Sequence, residues 1–214
     1  MSEFDVVAFD VYGTLFDITG EDWAASEVVA TMRSKQLQYS WLVSLMGDYR
    51  PFSELTRAAV EHALAVHGAE ADVERVMEGM LRIRTYPETV SVLGELRARA
   101  RLAVLSNGDP ESLEALLANA GVRDFFEWVI SAAEVRVFKP APAVYQRLLD
   151  RTGVSRDRIL FVSSNGFDVG GAARFGLRVA WVNRRGSPAE GVGGKPELMV
   201  RDLNELIRRT DAGG

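Results

Sequence analysis

Five short runs of branched and aromatic residues, Val6–Phe9, Leu102–Leu105, Trp128–Ile130, Ile159–Val162 and Val179–Val182, contain no charged side chain. A strand with one wet face alternates apolar and polar residues, so runs without that alternation read as strands dry on both faces. Between most of them lie segments with apolar residues at three- and four-residue spacing. Strands and helices in alternation predict a parallel sheet covered by helices on both sides, a doubly wound α/β fold. The punctuation agrees: Pro87 stands where a first helical turn would begin, and Gly121 and Gly153 stand just past two helical runs.

The rhythm breaks between residues 18 and 85. No strand-like run occurs there, only helical periodicity. Leu37, Trp41, Leu45 and Met46 recur at helical spacing, as do Leu55, Ala59, Leu64 and Val66. Ser53 is the expected N-cap of the second of these helices and Gly68 its stop. An all-helical insert after the first strand predicts a cap, residues 18–85, over an α/β core domain of residues 1–17 and 86–214. In open α/β sheets ligands bind outside the carboxyl ends of the strands. The chemistry is therefore expected between that edge and the cap.

Composition narrows the classes of function. The chain of 214 residues has a net charge of −5, which argues against nucleic acid or an anionic membrane as its main partner. An anionic substrate stays open, because a cleft can be locally positive. With 0 cysteines, disulfides, thiolate catalysis and cysteine-bound metals are excluded. The start, MSEFDVVAFD, lacks the basic region and apolar run of a signal peptide, and no apolar stretch approaches the ~20 residues of a membrane span. A cytoplasmic location is the expectation, and the tail Asp211–Gly214 is expected to be frayed.

Four polar clusters stand at or near predicted strand ends. Asp10-Val11-Tyr12-Gly13-Thr14-Leu15-Phe16-Asp17 follows the first strand. A carboxylate there is costly to bury without a cationic or hydrogen-bonding partner, so it is either a reacting group or a structural acceptor of turn amides. Ser106-Asn107-Gly108 ends the second strand and offers a hydroxyl, an amide and turn N–H groups to an anion, or simply turns into a helix. Lys139-Pro140 lies on a loop after Val135–Phe138; it supplies the charge that keeps Asp10 ionised, or it is a surface lysine. Ser163-Ser164-Asn165-Gly166-Phe167-Asp168 follows the fourth strand and fits either a site or a helix cap. Each admits the plain reading alone. Together, on the one edge of a parallel sheet, they point to a site.

These four clusters, in this order over nearly the whole chain, resemble the haloacid dehalogenase superfamily, and more closely its (S)-2-haloacid dehalogenase branch. Tyr12 stands where the phosphatases of that superfamily carry a second Asp. Arg33-Ser-Lys-Gln-Leu-Gln-Tyr-Ser-Trp-Leu is similar to the arginine-bearing cap helix of the dehalogenases, and Ser163-Ser-Asn-Gly-Phe-Asp168-Val-Gly-Gly-Ala to their fourth motif. The phosphatases' second Asp protonates a leaving group, which a departing halide does not require. Fewer carboxylates at the fourth motif also weaken a Mg²⁺ site, because hard cations want several oxygen ligands.

The resemblance implies a two-step hydrolysis of a 2-haloacid with no cofactor and no metal. Asp10 attacks C2, expels halide and inverts the carbon; water then cleaves the aspartyl ester to an (R)-2-hydroxy acid. Arg33 and Asn107 would hold the departing halide against the apolar wall of Phe167. Ser106 and the amides near Val11 and Tyr12 would hold the substrate carboxylate. Lys139 would neutralise Asp10, Asn165 and Asp168 would position the hydrolytic water, and Thr14, Tyr145 and Ser163 complete the set. A homodimer is implied as well. Two alternatives are a Mg²⁺-dependent phosphatase of the same superfamily and a non-catalytic binding protein on this fold. Tyr39, Trp41, Leu45 and Met46 could line the pocket, but cap core or subunit interface is the simpler reading. His62 and His67 match no metal or triad pattern. Gly170-Gly171-Ala172 lacks dinucleotide spacing.

Overall fold

The computed structural model describes residues 4–18 and 25–211. Six parallel strands form one sheet: β1 (Val6–Phe9), β2 (Arg101–Ser106), β3 (Trp128–Ser131), β4 (Ile159–Ser163), β5 (Arg178–Val182) and β6 (Leu198–Val200). Their order across the sheet is β3-β2-β1-β4-β5-β6. The five expected runs are the first five strands, and β1 and β4 are dry as expected, every residue buried, whereas Trp128 and Val129 of β3 are only half-buried. The sixth strand has no such signature. It is a three-residue edge strand with Met199 facing out.

Helices α4 (Thr89–Arg97), α5 (Pro110–Asn119), α6 (Pro142–Thr152), α7 (Gly166–Phe175) and α8 (Leu203–Asp211) connect and flank the strands. Pro87 precedes α4 rather than opening it, because Glu88 is the N-cap. Gly153 ends α6 in the left-handed region at φ 68°, where a side chain would be strained. Residues 212–214 of the expected frayed tail lie outside the described residues, and Asp211 is the last residue of α8.

Between β1 and α4 run α1 (Ser26–Met46), α2 (Phe52–His67) and α3 (Val73–Met80). The chain crosses itself on the way out and back: Asp17 N–H donates to Arg84 O at 2.9 Å and Tyr86 N–H to Leu15 O at 3.0 Å. Gly68 stops α2 at φ 58°. The expected cap at Ser53 is corrected. Ser53 is the second residue of α2, whose N-cap is Pro51 without a side-chain bond. The capping carboxylate comes instead from Asp109, far along the chain, which accepts the N–H groups of Phe52 and Ser53 at 2.8 Å each. A second correction concerns α1. Its buried stripe is Val28, Val29, Met32, Gln36, Ser40 and Val43, while Leu45 is 85% exposed and Met46 and Trp41 are exposed as well. Of the two simpler readings, cap core does not hold for Leu45 and Met46, which face outward, and two polar residues sit inside. No described helix is long and apolar enough to cross a membrane.

Candidate active site

The strand order reverses direction between β1 and β4, and a crevice opens at such a switch point beyond the carboxyl ends. Asp10 leaves β1 there, its N–H donating to Val162 O of β4 at 2.9 Å. Three turn amides, those of Thr14, Leu15 and Phe16, converge on Val11 O, and Gly13 takes φ 84°. This tight turn brings the Thr14 hydroxyl back onto Asp10.

The two oxygens of Asp10 are not equivalent. Oδ2 accepts Thr14 Oγ1–H at 3.0 Å and Asn165 Nδ2–H at 2.7 Å; among the described residues Oδ1 accepts only Lys139 Nζ–H at 3.0 Å. Thr14 has no choice of direction. Its oxygen takes the Ser164 N–H at 2.9 Å, so its proton goes to Asp10. Asn165 also donates to Tyr12 O at 3.0 Å, and its own N–H donates to Ser163 Oγ at 3.2 Å. Motifs one and four are thereby stitched across the switch point.

Lys139 is 1% exposed and bridges two carboxylates, donating to Asp168 Oδ2 at 2.8 Å as well as to Asp10. Burial draws its pKa down, but the two carboxylates outweigh that and hold it above the ordinary lysine value. Asp168 has 0% exposure, and Tyr145 O–H donates to its Oδ1 at 2.8 Å. Burial lifts its pKa to about 6, restrained by Lys139 and raised further by Asp10. Asp168 in turn raises the Tyr145 phenol well above its ordinary value, after burial itself. Gly171 makes room for this corner, since a Cβ there would lie 2.4 Å from Pro140 Cβ and 2.7 Å from Tyr145 Oη.

The outer wall comes from α1. Trp41 Nε1–H donates to Lys139 O at 3.2 Å, and its ring stands edge-on to Phe167 at 5.5 Å. Arg33 lies 5.9 Å from the Tyr12 ring and donates to Gln36 Oε1. Burial draws the Arg33 guanidinium below the ordinary arginine value, against the opposing pull of Asp10 and Tyr12. Burial likewise pushes the Tyr12 hydroxyl up to about 12, so it stays protonated. A cavity of about 580 Å³ opens beside these groups, lined by Gly13, Arg33, Leu37, Asn165, Phe167 and Arg184 among others.

The structure therefore joins Asp10, Thr14, Lys139, Tyr145, Asn165 and Asp168 in one hydrogen-bond network, with Tyr12, Arg33 and Phe167 beside it. Asn107 touches it through the loop, its Oδ1 accepting Lys139 N–H at 2.9 Å, which leaves the amide N–H groups as donors. Ser106 is fully buried and its Oγ accepts Gly108 N–H at 3.2 Å; Val11 is buried behind the turn. His67 bonds Thr31 at 2.8 Å and His62 stands edge-on to Tyr39, both away from this network.

Two supporting residues escaped sequence reasoning, Asp109 as a long-range cap and Arg184, while Trp41, weighed there as pocket lining, cap core or interface, is a partner of the Lys139 loop. Arg184 donates to Glu88 at 2.6 Å and to Thr14 O at 3.0 Å, fixing the turn behind Asp10 from β5. Only Arg184's position just beyond a buried strand hinted at it.

Comparison with known proteins gives a consistent result. Residues 4–176 match the family model of haloacid dehalogenase-like hydrolases. The chain is 41% identical to (S)-2-haloacid dehalogenase 2 of Pseudomonas sp. (strain CBS-3), covering 96% of this chain and 95% of that one. It is 36% identical to haloacetate dehalogenase H-2 of Moraxella sp. (strain B), over 97% and 98% of the two chains. Its fold superposes with a TM-score of 0.90 on L-2-haloacid dehalogenase from Xanthobacter autotrophicus with chloropropionic acid covalently bound, at 36% identity over 99% of this chain and 100% of that one.

Proposed function

Because the chain belongs to the haloacid dehalogenase-like hydrolases, we propose that it hydrolyses short (S)-2-haloalkanoic acids to (R)-2-hydroxy acids through an ester on Asp10. The observation that carries this reading is the inequality of the Asp10 oxygens. Oδ2 has both lone pairs engaged by Thr14 and Asn165, whereas among the described residues Oδ1 has one donor, Lys139, and keeps a lone pair for attack.

Attack of Oδ1 on C2 expels the halide with the bonding electrons and inverts the carbon. Arg33, with Asn107, receives the departing anion, and Phe167 walls it from water. Ser106 and the turn amides by Val11 and Tyr12 are assigned to the substrate carboxylate. Water then adds to Cγ. The negative charge develops on Oδ2, where Thr14 and Asn165 already point their donors, an oxyanion hole for the second step. Collapse breaks Cγ–Oδ1, and Oδ1 leaves as the product's hydroxyl oxygen beside the Lys139 ammonium. Asp168, with a pKa near 6 and bonded to Lys139, suits the role of taking the water's proton. Ser163 holds the Asn165 backbone, and Tyr145 holds Asp168.

The donor set does not suit Mg²⁺. The two carboxylates of the network already share the ammonium of Lys139, and among the described residues no three His, Cys, Asp or Glu side chains converge. We read residues 18–85 as a cap, a reading supported by the hydrogen-bonded crossing at Leu15–Asp17 and Arg84–Tyr86. A homodimer is supported by the outward apolar residues Leu42, Leu45 and Met46 of α1.

The test is halide release from (S)-2-chloropropionate with and without EDTA, beside Asp10→Asn. Chelator-insensitive release that disappears in the variant is expected. Mg²⁺-dependent cleavage of a phosphate ester without halide release would overturn the reading.

A further inference from the structure

Gln36 and Thr56 are polar residues buried between α1 and α2, and nothing in the reaction as described uses them. Their hydrogen bonds leave no freedom of direction. Thr56 Oγ1–H donates to Phe52 O at 2.7 Å, a helical back-bond, so its oxygen can only accept. It accepts Gln36 Nε2–H at 2.5 Å. The amide of Gln36 is thus oriented with its nitrogen to Thr56 and its oxygen to Arg33, which donates to it. At the other end, the peptide groups of Phe52 and Ser53 are gripped by Asp109, three residues past Ser106 on the loop after β2. A continuous path of buried polar contacts therefore runs from the sheet edge to Arg33.

The choice of acceptor has an electrostatic consequence. Arg33 rests on a neutral amide oxygen and the face of a protonated Tyr12, and among the described residues no carboxylate forms an ion pair with it. A carboxylate in place of Gln36 would hold the guanidinium equally well but cancel its charge just where an anion must form. The neutral acceptor fixes the position and spares the charge.

We propose that Gln36 is a positioning residue that presents Arg33 to the departing halide on a neutral acceptor rather than in a direct ion pair, with Thr56 and Asp109 fixing its amide direction from the core. This rests on the assignment of Arg33 to the leaving group. Weakening that contact makes the rate more sensitive to leaving-group ability, so poorer leaving groups suffer more. A merely structural role lowers the rate on every substrate by the same factor.

The experiment is single-turnover halide release from (S)-2-chloro- and (S)-2-bromopropionate by the full-length protein, for Gln36→Glu, Gln36→Met, Thr56→Val and Arg33→Lys. Gln36→Glu is expected to slow chloride release by roughly a hundredfold, the loss typical of one transition-state donor, and bromide release by clearly less. Thr56→Val keeps the shape, frees the amide to flip, and should raise the bromide-to-chloride ratio by a smaller factor. Gln36→Met keeps the charge and should fall between them. Arg33→Lys separates the two claims. If it changes the halide ratio while neither Gln36→Glu nor Thr56→Val does, the positioning role is wrong. If Arg33→Lys leaves the ratio unchanged, the assignment of Arg33 itself falls.

Discussion

Replacing Lys139 with Met tests the electrostatic core of the site. The ammonium sits 3.0 Å from Asp10 and 2.8 Å from Asp168, with side chains 1%, 8% and 0% exposed, so little solvent screens the trio. Even with the lysine present, Asp168 has a pKa of about 6. Without it two buried carboxylates face each other, and removing one partner of such a pair costs about 3–5 kcal/mol unless a proton is taken up. At ~1.4 kcal/mol per unit, that is a further rise of at least about 2 units for Asp168, beyond neutral pH. Near pH 7 most molecules then carry a proton on Asp168, which costs about tenfold, and the leaving alkoxide loses its donor, roughly another hundredfold. The expected result is a loss on the order of a thousandfold in single-turnover product formation, with the acid limb moved upward. In the unaltered protein that limb should fall near 6: Asp168 is ionised above it and protonated below it, so the rate drops as pH falls. The same raised value makes a folding contribution of opposite sense, present below 3.8 and lost as pH rises through about 6. Stopped-flow measurements across the pH range, with circular dichroism to verify folding, decide the matter. A variant within about tenfold of the parent, its acid limb unmoved, would refute the reasoning.

Three other outcomes are expected. Asn165→Ala removes an oxyanion donor used in ester hydrolysis, so the covalent adduct on Asp10 should accumulate; mass spectrometry of the quenched protein showing no adduct during turnover would count against that role. Gly171→Ala forces a methyl group against Pro140 and Tyr145, which should cost about 1–3 kcal/mol and lower the melting temperature. Sedimentation equilibrium should show a dimer that Leu45→Glu dissociates; a monomeric parent would remove the outward row of α1 as an interface.

The sheet was legible because dry strands cannot hide: Val6–Phe9 and Ile159–Val162 lack any polar alternation. The pairing of Asp10 with a cation was legible from the cost of burying it, although only the fold showed that Lys139 serves two carboxylates. β6 was invisible because three edge residues with one exposed carry no periodicity. Ser53 failed as a cap because the acceptor for α2 came from Asp109, 56 residues away from Ser53, and local sequence cannot see a tertiary partner. Trp41 and Met46 marked a helix correctly but not its inner face, since the buried stripe of α1 includes Gln36 and Ser40. Gln36 is polar where it bonds Arg33 and Thr56, and Ser40 bonds back to its own helix at Leu37 O, neither of which propensity rules have a term for.

The crossing of Leu15–Asp17 with Arg84–Tyr86 has an evolutionary consequence. Exit and return are pinned side by side, so the sheet senses the 18–85 segment as one surface loop whose closure is already fixed. Length and sequence can drift inside it without moving β1. The groups proposed to make and break the ester, Asp10, Lys139, Asn165 and Asp168, lie outside the loop, whereas Arg33 and the wall formed by Trp41 lie within it. On the proposed mechanism the ester is thus made and hydrolysed by groups outside the loop, while the halide acceptor Arg33 and the wall beside it are carried inside it. Drift within the loop would change leaving-group and substrate contacts while the nucleophile stands still.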